Sequence, residues 1–426
     1  MLKLCVVCIL LLGLPGASAQ VDKYEWLVGD FGRSVFNLGD LDGDGADEVA
    51  VPASNQGDGR VYILSGPELK KRLTLDPTIR NGWFGSSVCR GADFDQDGVM
   101  DVLVGADGDE EWCGAVEAFS GKSGESLFSL QGSAGGDTFG ARLAAIGDVN
   151  GDGWEDFMVG APDVFKEGPG RAMVYSGKNR QTMLVLSGGE PGDFLGSSLA
   201  GGADLDGDGT PDFVVGAPQR SNPKTPGYVM VAWGGDRKPS FVRGFTPYEG
   251  GVRVSPRDAD LSFGGAIALC DDLDGDALPE LLIHTNTYGR EARIEIRNGK
   301  DLTLIRTISG DSRSGFGRPF AIVDDRNEDG IRDILVGAYD TRPGGAAFVL
   351  SLATGETLLE LRPSEDDWHF GVSACGYRPD GPDAPMELLV GHGAMINNSV
   401  PGVVRLMSPD GRKPLLERAL SDYADD

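Results

Sequence analysis

The chain has 426 residues, with 66 acidic against 38 basic side chains and a formal net charge of −28. Such a surface repels nucleic-acid phosphate and anionic membrane, which argues against both as partners and makes cations the natural counterparts. The length exceeds one small core and leaves two or three ordinary domains or one large repeat architecture.

Residues 1–20, MLKLCVVCILLLGLPGASAQ, combine Lys3, an apolar run from Leu4 to Leu14 and the small-residue site Ala17-Ser18-Ala19. That order reads as a cleavable secretory signal, because the apolar run falls short of the ~18–20 residues a spanning helix needs. The expectation is export after cleavage near residue 19, to a secreted, periplasmic or cell-surface location, with no direct membrane span. Residues 21–426 then form the folded domain. Cleavage leaves Cys89, Cys113, Cys270 and Cys375, which allow three full disulfide pairings or can stay as buried free thiols.

A Phe-Gly pair recurs along the rest: Phe31-Gly32, Phe84-Gly85, Phe139-Gly140, Phe263-Gly264, Phe316-Gly317 and Phe370-Gly371, with Phe194-Leu195-Gly196 carrying one extra residue. The seven phenylalanines lie 53, 55, 55, 69, 53 and 54 residues apart. Periods of this size mean a solenoid, an array or a propeller. Each unit continues with an acidic cluster and then a short β-branched run closed by Gly or Pro, such as DVLVGA, DFMVGAP and DILVGA. Runs of this kind read as buried strands. A third strand follows (RVYILSG, AVEAFSG, AMVYSG, RIEIRNG), then a Gly-bearing turn and a fourth (SLFSLQG, MLVLSG, LTLIRTISG). The predicted class is all-β, a seven-bladed β-propeller of four-stranded antiparallel blades. For closing the ring, KYEWLVGD before the first unit and KPLLERAL at the end compete for one outer-strand slot.

Six acidic clusters share the pattern Asp-x-(Asp/Asn)-x-Asp-(Gly/Ala)-x-x-(Asp/Glu). Alternate carboxylates on a tight loop converge on one point, which without a cation is self-repelling. A flexible oxygen cage suits Ca²⁺ better than the stricter octahedron of Mg²⁺. The candidate ligands are Asp40, Asp42, Asp44 and Glu48; Asp93, Asp95, Asp97 and Asp101; Asp148, Asn150, Asp152 and Asp156; Asp204, Asp206, Asp208 and Asp212; Asp272, Asp274, Asp276 and Glu280; and Asp325, Asn327, Asp329 and Asp333. Up to six Ca²⁺ are expected, which would bring −28 to −16. An EF-hand is excluded, because its twelfth position, a bidentate Glu, is Val51, Val104, Val159, Val215, Ile283 or Val336 here. The fifth loop has Ala277 in place of glycine, so a left-handed turn there costs roughly 1–2 kcal/mol and makes this site the expected weakest. The seventh loop has Pro379 and Gly381 at ligand positions, keeps only Asp383 and Glu387, and is expected to be metal-free.

The Phe-Gly start, the acidic loop and the VGAP exits at Val159 to Pro162 and Val215 to Pro218 resemble FG-GAP repeats, as in the N-terminal propeller of integrin α subunits. The resemblance implies calcium loops on one face of a seven-bladed propeller and partner-binding loops on the other. It covers the mature chain without the integrin inserted domain, leg domains or membrane span, so integrin pairing and signalling do not carry over.

The residues offer little chemistry. Three histidines, His284, His369 and His392, are scattered along the chain, and His392 fills an Ala slot as a packing residue would. SGKSGE at 120–125 lacks the upstream glycine of a phosphate loop and matches the hairpin turns SGKN and NGKD. Asn397-Asn398-Ser399 is a glycosylation sequon. The expected function is a secreted calcium-binding adhesion module for an extracellular protein or polysaccharide, without a catalytic site. The alternative is a calcium-dependent polysaccharide lyase or hydrolase on the same scaffold. Contact loops are expected at Asp107 to Cys113, Asp163 to Arg171 and Gln219 to Gly227, with Trp112 and Phe165 as anchors, and the connection from Gly234 to Leu261 as a recognition loop.

Overall fold

The computed structural model describes residues 34–53, 59–79, 82–108, 113–133, 136–219, 227–235, 252–254, 262–287, 291–311, 314–341, 344–363, 369–392, 402–408, 414–419 and 422. The signal segment, KYEWLVGD, Phe31-Gly32, Trp112 and the sequon lie outside them.

The described chain forms seven four-stranded antiparallel sheets, each from consecutive strands. Blade one is β1 (Phe36–Gly39), β2 (Glu48–Pro52), β3 (Val61–Ser65) and β4 (Lys70–Leu75). Blade two is β5 (Phe84–Arg90), β6 (Val102–Ala106), β7 (Ala115–Phe119) and β8 (Ser126–Gln131). Blade three is β9 (Arg142–Gly147), β10 (Asp156–Ala161), β11 (Arg171–Tyr175) and β12 (Thr182–Ser187). Blade four is β13 (Ser198–Ala203), β14 (Asp212–Ala217), β15 (Tyr228–Ala232) and β16 (Val252–Val254). Blade five is β17 (Ala266–Cys270), β18 (Glu280–Thr287), β19 (Glu291–Asn298) and β20 (Leu304–Gly310). Blade six is β21 (Phe320–Val323), β22 (Asp333–Gly337), β23 (Ala347–Leu350) and β24 (Thr357–Leu361). Blade seven is β25 (Phe370–Tyr377), β26 (Glu387–His392), β27 (Val403–Met407) and β28 (Pro414–Ala419).

The second strand carries a short apolar run in every blade, and in blades two to four it is buried along its whole length. First strands such as β9 are half-buried on the inner side, and fourth strands such as β8 face solvent. First strands of neighbouring blades touch from β1 to β17 and from β21 to β25, an apolar cluster with Leu282 and Ile334 joins blades five and six, and β1 touches β25, so the sheets close a ring. One apolar cluster joins Val49, Val51, Tyr62 and Leu64 of blade one to Cys375, Tyr377 and Leu389 of blade seven. The KPLLERAL segment supplies β28 and fills the outer slot of the last blade, so all four strands of that blade come from one stretch of chain.

The Phe-Gly pair has a packing reason. Phe84, Phe139, Phe194, Phe263, Phe316 and Phe370 are all buried where blades meet. The glycine after each adopts a positive φ, 90° at Gly140 and 85° at Gly371. A Cβ on Gly140 would lie 2.3 Å from the Ala115 carbonyl oxygen of the preceding blade, so only glycine allows that approach. The long connection from Gly234 to Leu261 is partly structural: Val252–Val254 pairs with β15 as the outer strand of blade four.

Cys89, Cys113, Cys270 and Cys375 are all free thiols. Burial pushes the thiols of Cys89 and Cys375 up to about 12, which leaves them protonated and inert at neutral pH. Among the described residues no helix is long and apolar enough to cross a membrane.

Candidate metal centres and the opposite face

Antiparallel order puts the loop between first and second strands, together with the turn between third and fourth, at one end of each blade. The remaining connections lie at the other end. All six acidic loops therefore share one face of the ring, each entering a buried second strand.

The loops repeat one hydrogen-bonding scheme. The first aspartate accepts from the sixth-position amide: Gly45 to Asp40 at 2.9 Å, Gly98 to Asp93 at 2.9 Å, Gly153 to Asp148 at 2.7 Å, Gly209 to Asp204 at 2.7 Å, Ala277 to Asp272 at 2.8 Å and Gly330 to Asp325 at 2.7 Å. The fifth-position aspartates Asp44, Asp97, Asp152, Asp208, Asp276 and Asp329 each accept the amide two residues on. The ninth-position carboxylate accepts the second-position amide, as from Leu41 to Glu48 at 2.9 Å and from Leu205 to Asp212 at 2.7 Å. Every sixth residue has the left-handed φ, including Ala277 at 69°.

Carboxylates converge accordingly. Ligand oxygens of Asp272, Asp274, Asp276 and Glu280 all lie within 4.8 Å of one another. The same limit holds for Asp40, Asp42 and Glu48, for Asp93, Asp95 and Asp101, and for Asp204, Asp206 and Asp212. In the two loops with asparagine at position three, the amide donates to one carboxylate of its loop: Asn150 Nδ2 to Asp156 at 3.1 Å and Asn327 Nδ2 to Asp329 at 2.8 Å. The fifth loop is the most converged of these despite its alanine.

The ninth-position groups are the buried ones. Burial pushes Glu48 and Glu280 up to about 7, and Asp101, Asp156, Asp212 and Asp333 up to about 6. In blades two to four the second carboxylate oxygen accepts a turn amide, from Gly121, Gly177 and Gly234. Glu280 Oε1 and Asp333 Oδ1 are buried with no hydrogen-bond partner. An orphaned carboxylate oxygen beside converging aspartates fits a hard divalent cation, which would supply the missing partner.

Some participants carry no sequence signature. Asn298, the last residue of β19, donates through Nδ2 to Asp274 at 2.9 Å and Asp276 at 2.8 Å. Its Oδ1 accepts from Lys300 and Asp301, which fixes the amide orientation. The serines of the equivalent turns SGK made that slot visible, though not its reach. Arg72 of β4 lies against Asp42 and Glu48. At the seventh loop Arg378 pairs with Asp324 and Arg326 donates to the Met386 carbonyl, while Met386 N donates to Asp324 at 2.7 Å. Guanidinium groups thus fasten the loop that has lost its acidic pattern.

On the opposite face, Asp163 to Arg171 is described and Phe165 is half-buried there. Asp137 receives Arg171 at 2.7 Å. Asp107 and Gln219, at the starts of the other two loops, are buried, and Gln219 donates to Asp193 at 3.1 Å. His284 and His392 are buried packing residues, the first bonded to the Phe316 carbonyl at 3.0 Å. The SGKSGE segment is a hairpin turn, with Gly124 N donating to Ser120 O at 2.8 Å.

Seven four-stranded sheets in a closed ring, with acidic loops on one face, define a β-propeller of repeated units. Residues 139–175 and 195–231 match the FG-GAP repeat, and residues 40–104 match the FG-GAP-like repeat. The chain is an FG-GAP-repeat propeller of the integrin-alpha-like kind. Integrin alpha-3 of Cricetulus griseus is 36% identical over 189 residues, 40% of this chain and 18% of that protein. Integrin alpha-5 of Xenopus laevis is 32% identical over 222 residues, 47% and 20% respectively. Integrin alpha-7 of Rattus norvegicus is 37% identical over 219 residues, 48% and 18% respectively. The chain thus spans no more than 20% of the length of these relatives. A europium-containing methanol dehydrogenase superposes with a TM-score of 0.49 at 11% identity, over 91% of this chain and 80% of that chain, a likeness that carries no argument about activity.

Proposed function

We propose that the protein is an exported, calcium-stabilised binding module, without catalysis of its own, whose partner is an extracellular protein or polysaccharide. The observation that carries this reading is the fifth loop, where four carboxylates converge within 4.8 Å around the orphaned oxygen of Glu280. Six loops of one pattern on one face would hold six Ca²⁺ through their first, third, fifth and ninth positions, with the seventh-position carbonyl completing each cage. The ions bind strand to strand and reduce self-repulsion in an acidic chain. That leaves the opposite face for recognition, with Asp163 to Arg171 and the half-buried Phe165 in the contact surface. Export rests on the signal-like residues 1–20.

The test is an array of extracellular proteins and polysaccharides probed with the mature chain in calcium and in chelator. Calcium-dependent binding that F165A weakens supports the reading. New reducing ends or unsaturated products appearing on a polysaccharide would move it to the enzyme class.

A further inference from the structure

The first acidic loop differs from the others in what faces it. Arg72, on the outer strand of the same blade, places one terminal nitrogen 3.0 Å from Asp42 Oδ2 and the other 3.2 Å from Glu48 Oε1. The Arg72 side chain is only 19% exposed and that of Glu48 only 1%. Asp42 and Glu48 are two of the three carboxylates that converge in this loop. One guanidinium therefore lies in ion-pair range of two of the three carboxylates that a divalent ion in this loop would use.

The two cations exclude each other. An ion bound to Glu48 Oε1 and Asp42 Oδ2 at about 2.4 Å would leave Arg72 within a few ångströms of a double positive charge in a poorly solvated place. The oxygen counterpart in the fifth loop, Glu280 Oε1, has no such partner. The loop also stands at the seam of the ring, where Asp47 N donates to Arg378 O at 2.8 Å and Arg378 N to Asp47 Oδ2 at 3.0 Å.

We propose that Arg72 is the resident cation of the first loop, so that this loop is held by a guanidinium and admits Ca²⁺ only when Arg72 is displaced. The first site is then the weakest of the six, and the seam stays fastened while the other loops lose their ions. The inference rests on the reading of these loops as calcium sites.

Calcium titration of the metal-stripped mature chain, followed by hydrogen exchange of peptides covering 40–48 and 272–280, tests this without a variant. The 272–280 peptide gains protection at a calcium concentration at least about tenfold lower than the 40–48 peptide. Protection of both at the same concentration overturns the role of Arg72 and leaves the calcium reading intact. No calcium-dependent protection in either peptide overturns both. Native mass spectrometry of R72Q supplies the second arm. Five ions bind the wild-type chain at low calcium and six bind R72Q, whereas an unchanged count in R72Q counts against displacement.

Discussion

The Tyr377 hydroxyl in the last blade donates to the Gly66 carbonyl of the first blade at 2.9 Å. It is one of several bonds across the seam: Asn37 Nδ2 donates to Gly376 O at 2.7 Å, and Arg378 N donates to Asp47 Oδ2 at 3.0 Å. Among the described residues blade seven takes its four strands from one segment, so the ring is fastened here by hydrogen bonds and packing and not by a strand borrowed from the other terminus.

Y377F removes one buried hydrogen bond and keeps the ring in place. The expected loss is about 1 kcal/mol. Hydrogen exchange after the substitution should speed up in β1 and β25 before it does in blades three and four. Uniform acceleration around the ring would show that the seam is not a separate weak point.

The glycine of the VGA exits is set by distance. A Cβ on Gly160 would lie 2.2 Å from the Gly196 carbonyl oxygen, and one on Gly216 would lie 2.1 Å from that of Gly264, in each case in the next blade. G160A therefore pushes two blades apart and should cost about 1–3 kcal/mol or more by overpacking. G153A is the control, since nothing lies within 4 Å of its Cβ and only the φ of 87° is violated, at roughly 1–2 kcal/mol. Thermal melts compare the two, with broadened or lost cooperativity expected only for G160A.

These positions show what the sequence could disclose. Phe-Gly spacing, acidic loops and β-branched runs are local, and local periodicity was enough to count blades and to locate the acidic loops between first and second strands. The partners within a blade were hidden, because Arg72 and Asn298 reach their carboxylates from 30 and 24 residues away, from the far strands of the same sheet, and nothing in their neighbourhoods marks them. The closing strand was undecidable for the same reason: both terminal segments had the right pattern, and only pairing with β27 separates them. The short strand Val252–Val254 was masked by the long connection around it.

Acid should act oppositely on the metal-free and calcium-loaded forms. Glu48 and Glu280 are raised to about 7, and Asp101, Asp156, Asp212 and Asp333 to about 6, all by burial. Folded pKa values above the unfolded ones mean stability that is full below about pH 4 and is lost as pH rises through 6–7. The metal-free chain is therefore more resistant to urea at pH 5.5 than at pH 8. Saturating calcium requires the deprotonated carboxylates and reverses the order. Urea midpoints at both pH values, with and without calcium, decide it, and parallel shifts in the two forms would remove these groups from the account.

Ala277 holds the turn of the fifth loop at φ 69°. A277G relieves that strain, less the extra freedom glycine gives the unfolded chain, for a net gain of up to about 1 kcal/mol. The four carboxylates already converge with alanine present, so the gain should show as a higher melting temperature in metal-free protein as well as in calcium. A gain seen in calcium alone would mean that the loop adopts the left-handed turn only around the ion.

The seventh loop should be indifferent to calcium. Arg378 pairs with Asp324, and Asp324 also holds the Met386 amide at 2.7 Å, so a guanidinium and a carboxylate join blades six and seven in place of an ion cage. R378M removes that link and leaves Asp324, about a quarter exposed, with one partner. Partial exposure discounts the loss to about 1–2 kcal/mol. Since no ion is expected in this loop, the loss should be equal in calcium and in chelator. D276N in the fifth loop should destabilise the calcium form and spare or stabilise the metal-free form, where it removes one of four crowded carboxylates. Melting temperatures of both variants in both conditions give four numbers, and a calcium-sensitive R378M would place an ion where Arg378 is argued to replace it.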